Sequence, residues 1–151
     1  MNRPLRIALA LLVAALVATV LGTVVQTQFN LAALADIGMQ VPAGERLRTT
    51  GHDLVGFSRT LGPIALAVLL LALPVATWIA RRAPRWRTLL CAVGAGIGFV
   101  VAVRVIDMLA PMPTLIAATR GIGGTLAMAL ALALGGALFA LLSRPRVPAR
   151  A

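Results

Sequence analysis

One cysteine, one histidine, four acids, and no lysine or tyrosine leave this chain short of most groups that carry solution chemistry. A lone Cys91 can form neither an intramolecular disulfide nor a multi-cysteine metal site. Disulfide exchange of the quinone-linked membrane type needs cysteine pairs and is excluded with them. A lone His52 excludes bis-histidine haem within one chain. The carboxylates and His52 do not fall on facing helices as a zinc or di-iron ligand set requires. His52 and Asp53 are adjacent, and adjacent residues do not face one another on a helix, so they read as hydrated interfacial groups rather than an acid/base pair. No glycine-rich nucleotide loop follows a strand, and no serine sits in a nucleophile context. The expectation is a protein that is not an enzyme and holds no metal or other cofactor.

Charge is also scarce. Only 12% of residues are charged, 60% are hydrophobic, and the mean hydropathy is +0.98. A soluble domain is about 25% charged and about 45–50% apolar. The excess apolar content exceeds what one buried core can hold, and lipid is its natural place. All fourteen basic residues are arginine, giving a net charge of +10. That balance invites a nucleic-acid reading. The arginines, however, stand in short clusters beside apolar runs, and they read as topology determinants and phospholipid contacts. An Ala/Leu/Val/Arg/Gly-rich chain without lysine also suggests a bacterial source of high GC content.

What is present in quantity is long apolar runs. Residues 7–26 form the first, about 28 Å of helix from Ile7 to Val25, against a hydrocarbon core of about 30 Å. It exceeds the usual signal-peptide core of about 7–15 residues, and no A-x-A-like site follows it. Gln26, Gln28 and Asn30 mark its exit into water. Residues 61–80 form the second, opened by Gly62-Pro63, with Pro74 inside it to kink the helix and free a carbonyl one turn earlier. Residues 88–110 form the third, stopped by Pro111 and Pro113, and residues 121–142 the fourth. The third carries Gly94, Gly96 and Gly98; the fourth carries Gly123, Gly124, Gly135 and Gly136. Such small residues let helices approach closely in lipid. The expected fold is an all-α membrane protein: one domain over residues 1–151, a four-transmembrane-helix bundle.

Nine of the fourteen arginines lie before the first run, in the 81–87 loop, or after the fourth run. Four helices put these segments on one side, and the four acids Asp36, Glu45, Asp53 and Asp107 on the other. The positive-inside rule places the arginine-rich side, with both termini, in the cytoplasm, and the chain in the bacterial inner membrane. Trp78 and Trp86 flank the 81–87 loop as an aromatic belt would. The two halves look alike: Ser58-Arg59-Thr60-Leu61-Gly62 aligns with Thr119-Arg120-Gly121-Ile122-Gly123, and Ala83-Pro84-Arg85 with Arg144-Pro145-Arg146. This suggests two repeated helical hairpins, as in transporter folds.

The outward loops are 27–60 and 111–120. Phe29 to Leu34 continues the first helix until Gly38 and Pro42 break it. From Gly44 to Ser58, Leu47, Leu54 and Phe57 recur at helical spacing, which predicts a short amphipathic helix lying in the interface. Thr50 with Asp53 fits a capping box within it. Thr114 to Ala118 is apolar and reads either as a shallow pre-helix or as part of a long, bent fourth helix.

Two features stand out as candidate sites. Arg104 and Asp107 are three residues apart and share a helix face, so an ion pair is expected there, or a snorkelling Arg104. Arg59 and Arg120 each precede a helix whose positive dipole end faces outward, an unfavourable place for a cation unless an anion joins it. Arg59, Arg104 and Arg120 are therefore candidates for an outward basic pocket holding an anionic lipid or small anionic solute. The function expected is that of an accessory or scaffold subunit, or a lipid-binding module, of a membrane complex. The alternative is a small oligomeric transporter or channel using that pocket. Expected partners are membrane lipids and other membrane subunits or further copies of the chain; nucleic acid is not among them.

Overall fold

The computed structural model describes residues 2–109 and 115–144. Five α-helices occur among them: α1 (Arg3–Asp36), α2 (Ala43–Gly56), α3 (Ser58–Ala80), α4 (Arg87–Leu109) and α5 (Ile122–Leu142). Short 3-10 turns cover Pro84–Trp86 and Ala117–Arg120. α1, α3, α4 and α5 are long and apolar enough to cross a membrane. They form a ring in the order α1, α5, α4, α3, each neighbour antiparallel, with α2 laid against α1 and α3.

Small side chains bring the helices together. Ala10, Ala14, Ala15 and Ala18 of α1 are buried. A Cβ at Gly135 would stand 2.8 Å from the Ala18 Cβ and 2.9 Å from the Ala14 carbonyl oxygen. One at Gly136 would stand 2.8 Å from the Ala95 Cβ and would strike the Cys91 carbonyl oxygen. α5 thus touches the backbones of α1 and α4 directly, and dispersion contacts replace the large side chains of a soluble core. Phe99, Leu61, Leu69, Leu73, Met128 and Leu132 fill the remaining interior. The outer surface carries exposed leucine, valine and isoleucine along every long helix.

Helix bounds depart from the apolar runs where neighbouring contacts extend them. α1 starts at Arg3 and runs to Asp36, 34 residues or about 51 Å, well past the 7–26 run. Its end falls before Gly38, the one described residue with positive φ (88°). α3 starts at Ser58, not Leu61, because α2 leads almost directly into it: Phe57, in helical conformation, ends one helix and begins the other. Pro63 therefore lies in the second turn of α3 rather than opening it, and the helix continues through both Pro63 and Pro74. The 88–110 and 121–142 runs correspond closely to α4 and α5. The stop signals Pro111 and Pro113, and the Arg144-Pro145-Arg146 end of the internal match, extend beyond the described residues. In the first half the outward connection contains α2; in the second, its described part is the 3-10 turn.

Candidate functional site

The acid-bearing end of the bundle is closed by side-chain hydrogen bonds. Thr19, Thr23 and Thr27 recur every four residues on α1, and they and Gln26 are all buried. Thr27 donates to the Asp53 carboxylate at 2.7 Å, and Thr23 bonds to Ser58 at 3.1 Å. The Gln28 amide donates to Thr50 Oγ1, and Arg46 donates to the Gln28 carbonyl oxygen. These bonds hold α2 against α1 through a polar seam. Leu47, expected to lead the apolar face, is 77% exposed, and Val55 is also exposed; Leu54 and Phe57 are half-buried. The predicted helix is present, and Thr50, Asp53 and Arg46 on its polar side make its hydrogen bonds to α1, while Phe57 at its end packs against the core. Thr50 donates to the Arg46 carbonyl and Asp53 accepts from Thr27, so no capping box forms within the continuous α2.

Gln26 does not exit into water. It is 4% exposed, and its side-chain oxygen accepts the backbone N–H of Ala118 at 2.9 Å. Ile116, Ala118 and Thr119 are buried, so this segment folds back into the bundle between α1 and α5. Gly124 makes room for it, since a Cβ there would strike the Ala118 carbonyl oxygen. Thr125 secures the turn by donating to the Thr119 and Gly121 carbonyls.

Arg59, Arg104 and Arg120 are all exposed. Arg59 lies in the first turn of α3, where the Thr60 and Leu61 N–H groups already bond to the Phe57 carbonyl. The free N-terminus that would have favoured an anion beside it is largely used up by the α2–α3 junction. Arg104 makes no ion pair with Asp107; His52 Nδ1 lies 4.0 Å from the Asp53 carboxylate, an ion pair only when the 87% exposed His52 is protonated. Sharing a helix face does not close the pair: Arg104 is exposed and Asp107 half-buried. Arg120 ends the 3-10 turn.

Two cavities lie elsewhere. The first, about 750 Å³, is a groove along the outside of α3 and α4. Ala72, Ala76, Gly94 and Gly98 form its floor; Leu71, Val75, Ile97 and Val101 form exposed rims. The floor is low because small residues pack α4 on α3, with a Cβ at Gly94 or Gly98 only 3.1 Å from Ala76 or Ala72. The second, about 620 Å³, opens at the arginine-rich end between α1, α3 and α5. Arg3 and Arg6 of α1, Arg81 after α3, and Arg87 at the start of α4 line it, above apolar walls from Leu11, Leu69, Leu70, Leu73 and Phe139. Arg87 donates to the Ala140 carbonyl and, at 2.7 Å, to Ser143 Oγ, placing a cation on the negative end of α5. Arg144 reaches back to Thr88. The Arg6 Nε is buried without a hydrogen-bond partner. Trp78 and Trp86 stand exposed at this end with Arg82 and Arg85 over their rings.

Comparison with known proteins finds no matching family, no similar curated protein and no similar solved structure.

Along the sequence the arginines of the 81–87 loop and the amino-terminal segment read as topology signals, yet four of them line one cleft. The signal was there: Arg3 and Arg6 are three apart and face one way on a helix. The polar stripe on α1 was equally visible as threonines at positions 19, 23 and 27 inside an apolar run.

Proposed function

We propose that this chain is a multi-pass protein of the bacterial inner membrane that acts by lateral association, as an accessory or scaffold subunit. Its arginine-rich end, with both termini, faces the cytoplasm under the positive-inside rule. The observation that carries the reading is the groove between α3 and α4. From Ile64 to Ile79 it follows about 22 Å of helix, most of a hydrocarbon core. Its small-residue floor and branched rims complement the ridge of another apolar helix, and in lipid such close packing is what holds helices together. The occupant is a transmembrane helix of a partner subunit. The two halves of the chain are read as related hairpins, with α2 an addition to the first. Neither cavity contains Arg59, Arg104 or Arg120, so transport through an outward arginine pocket rests on sequence position alone.

The test is photo-crosslinking in the native membrane. A crosslinker at Ile97 on the groove rim is expected to capture one discrete membrane protein, while one at Leu126, exposed on α5, captures none. Filling the floor with Ala72→Leu should abolish the adduct. Purification in mild detergent as a homogeneous species without another protein, together with equal labelling at both positions, sinks the subunit reading.

A further inference from the structure

The cleft at the arginine-rich end has a composition that lateral association does not use. We infer that it is a binding site for an anionic phospholipid, with the phosphate among Arg3, Arg6 and Arg81 and an acyl chain lying along Leu70 and Leu73. The inference rests on the chain lying in a bilayer and not on the identity of any partner subunit.

Three observations converge. First, four arginines line one opening, and all four acids of the chain lie at the other end of the bundle. Arg87 is committed to the end of α5, but the side chains of Arg3, Arg6 and Arg81 have no hydrogen bond or ion pair among the described residues. Mutual repulsion in a part-buried cleft is relieved by an anion. Second, the Arg6 Nε is removed from solvent with no acceptor beside it. A buried unmet donor on a charged group is costly, and a phosphate oxygen is the acceptor that suits a guanidinium best. Third, the cleft is amphipathic along its depth. Below the arginines, Leu69, Leu70 and Leu73 provide an apolar wall. A free phosphate would leave that wall wet, whereas an acyl chain covers it. Basic pockets between helices on the cytoplasmic side of a membrane are a recognised home for phospholipid headgroups. With three uncommitted cations, a lipid bearing two negative charges fits better than one bearing a single charge.

The experiment uses the full chain in nanodiscs of phosphatidylcholine containing a small fraction of a spin-labelled anionic phospholipid, cardiolipin in one set and phosphatidylglycerol in another. Immobilised label reports lipid held by the protein. We expect cardiolipin to be held over phosphatidylcholine by at least about tenfold, with phosphatidylglycerol between them. Each arginine near a membrane surface contributes about a fivefold factor, so the two together outweigh a tenfold preference and R3Q/R81Q should abolish it. Both side chains are exposed, so this variant tests binding without threatening the fold. Arg46 and Arg48 on α2 at the far end are the control, and R46Q/R48Q should leave the preference intact. Two results overturn the inference: a preference unchanged in R3Q/R81Q, which makes it general attraction to the +10 chain, or release of the labelled lipid by inorganic phosphate at equal concentration, which makes the site one for free phosphate. Loss of crosslinking at Ile97 with lipid preference retained separates failure of the subunit reading from failure of this one.

Discussion

At the end of the bundle that carries α2, polar side chains satisfy one another; at the opposite end, cations surround an open cleft. The first arrangement links α1, α2, α3 and the 115–121 segment through threonine, glutamine and aspartate bonds. The second leaves Arg3, Arg6 and Arg81 without partners among the described residues. The contrast separates two uses of polarity in an otherwise apolar chain. Buried and satisfied groups fix geometry, because breaking one leaves its mate unpaired in a medium that cannot replace it. Unpaired groups at a cleft contribute little to the fold and are available to a ligand. Substitutions at the networked end should therefore cost stability, and those at the basic end should alter binding.

The largest effect is expected where the networked end admits no added atom. Gly124→Ala places a methyl group against the Ala118 carbonyl oxygen and must push the buried Ile116–Thr119 segment out of the bundle. Overpacking of this kind costs about 3 kcal/mol. Thermal unfolding in detergent, followed by circular dichroism, should show a large fall in midpoint. An unchanged midpoint would mean that the segment is not seated as described.

Gln26→Leu comes next. It keeps the side-chain volume but removes the acceptor of the Ala118 N–H, stranding a buried donor at a cost of about 2 kcal/mol. Gln28→Leu, on a half-buried side chain in the same helix, should cost about 1 kcal/mol or less. Equal costs at the two positions would erase the distinction between the buried seam and its edge.

At the basic end, Arg87 is the exception that sharpens the comparison. It is half-buried and caps α5 through Ala140 and Ser143. Arg87→Gln should cost about 1 kcal/mol in lipid-free detergent, whereas Arg3→Gln should stay within about 0.5 kcal/mol. The same unfolding measurement decides this, and a larger loss from Arg3 would show that the cleft arginines serve the fold.

These contrasts also mark where sequence was informative. The four long helices, α2, and the separation of acids from most arginines follow from run length, from Gly38 and Pro42, and from charge position, all local properties. What local properties cannot give is which face of a helix meets which neighbour. Gln26, Gln28 and Asn30 together look like an exit into water. Only the returning Ala118 backbone makes Gln26 an interior group. Pro63 looks like a helix start until α2 leads into α3 through Phe57. The basic cleft is likewise assembled from segments more than seventy residues apart, so each of its arginines, read alone, signals topology.

The smallest effect tests the site that sequence spacing favoured most. Arg104 and Asp107 lie three apart on α4, and such a pair on an isolated helix contributes about 0.2–0.5 kcal/mol. In this bundle Arg104 is exposed, Asp107 is half-buried, and no ion pair joins them. A side chain as long as arginine can satisfy its charge at the polar boundary without its neighbour, and fixing it to Asp107 would cost rotamer freedom. A double-mutant cycle of Arg104→Ala and Asp107→Ala should therefore return a coupling energy below about 0.2 kcal/mol. A coupling near 1 kcal/mol or above would restore the pair as a structural element. It would also place an engaged charge at the acid-bearing end where this structure has an unpaired one, moving α4 into the network that now joins α1, α2 and α3.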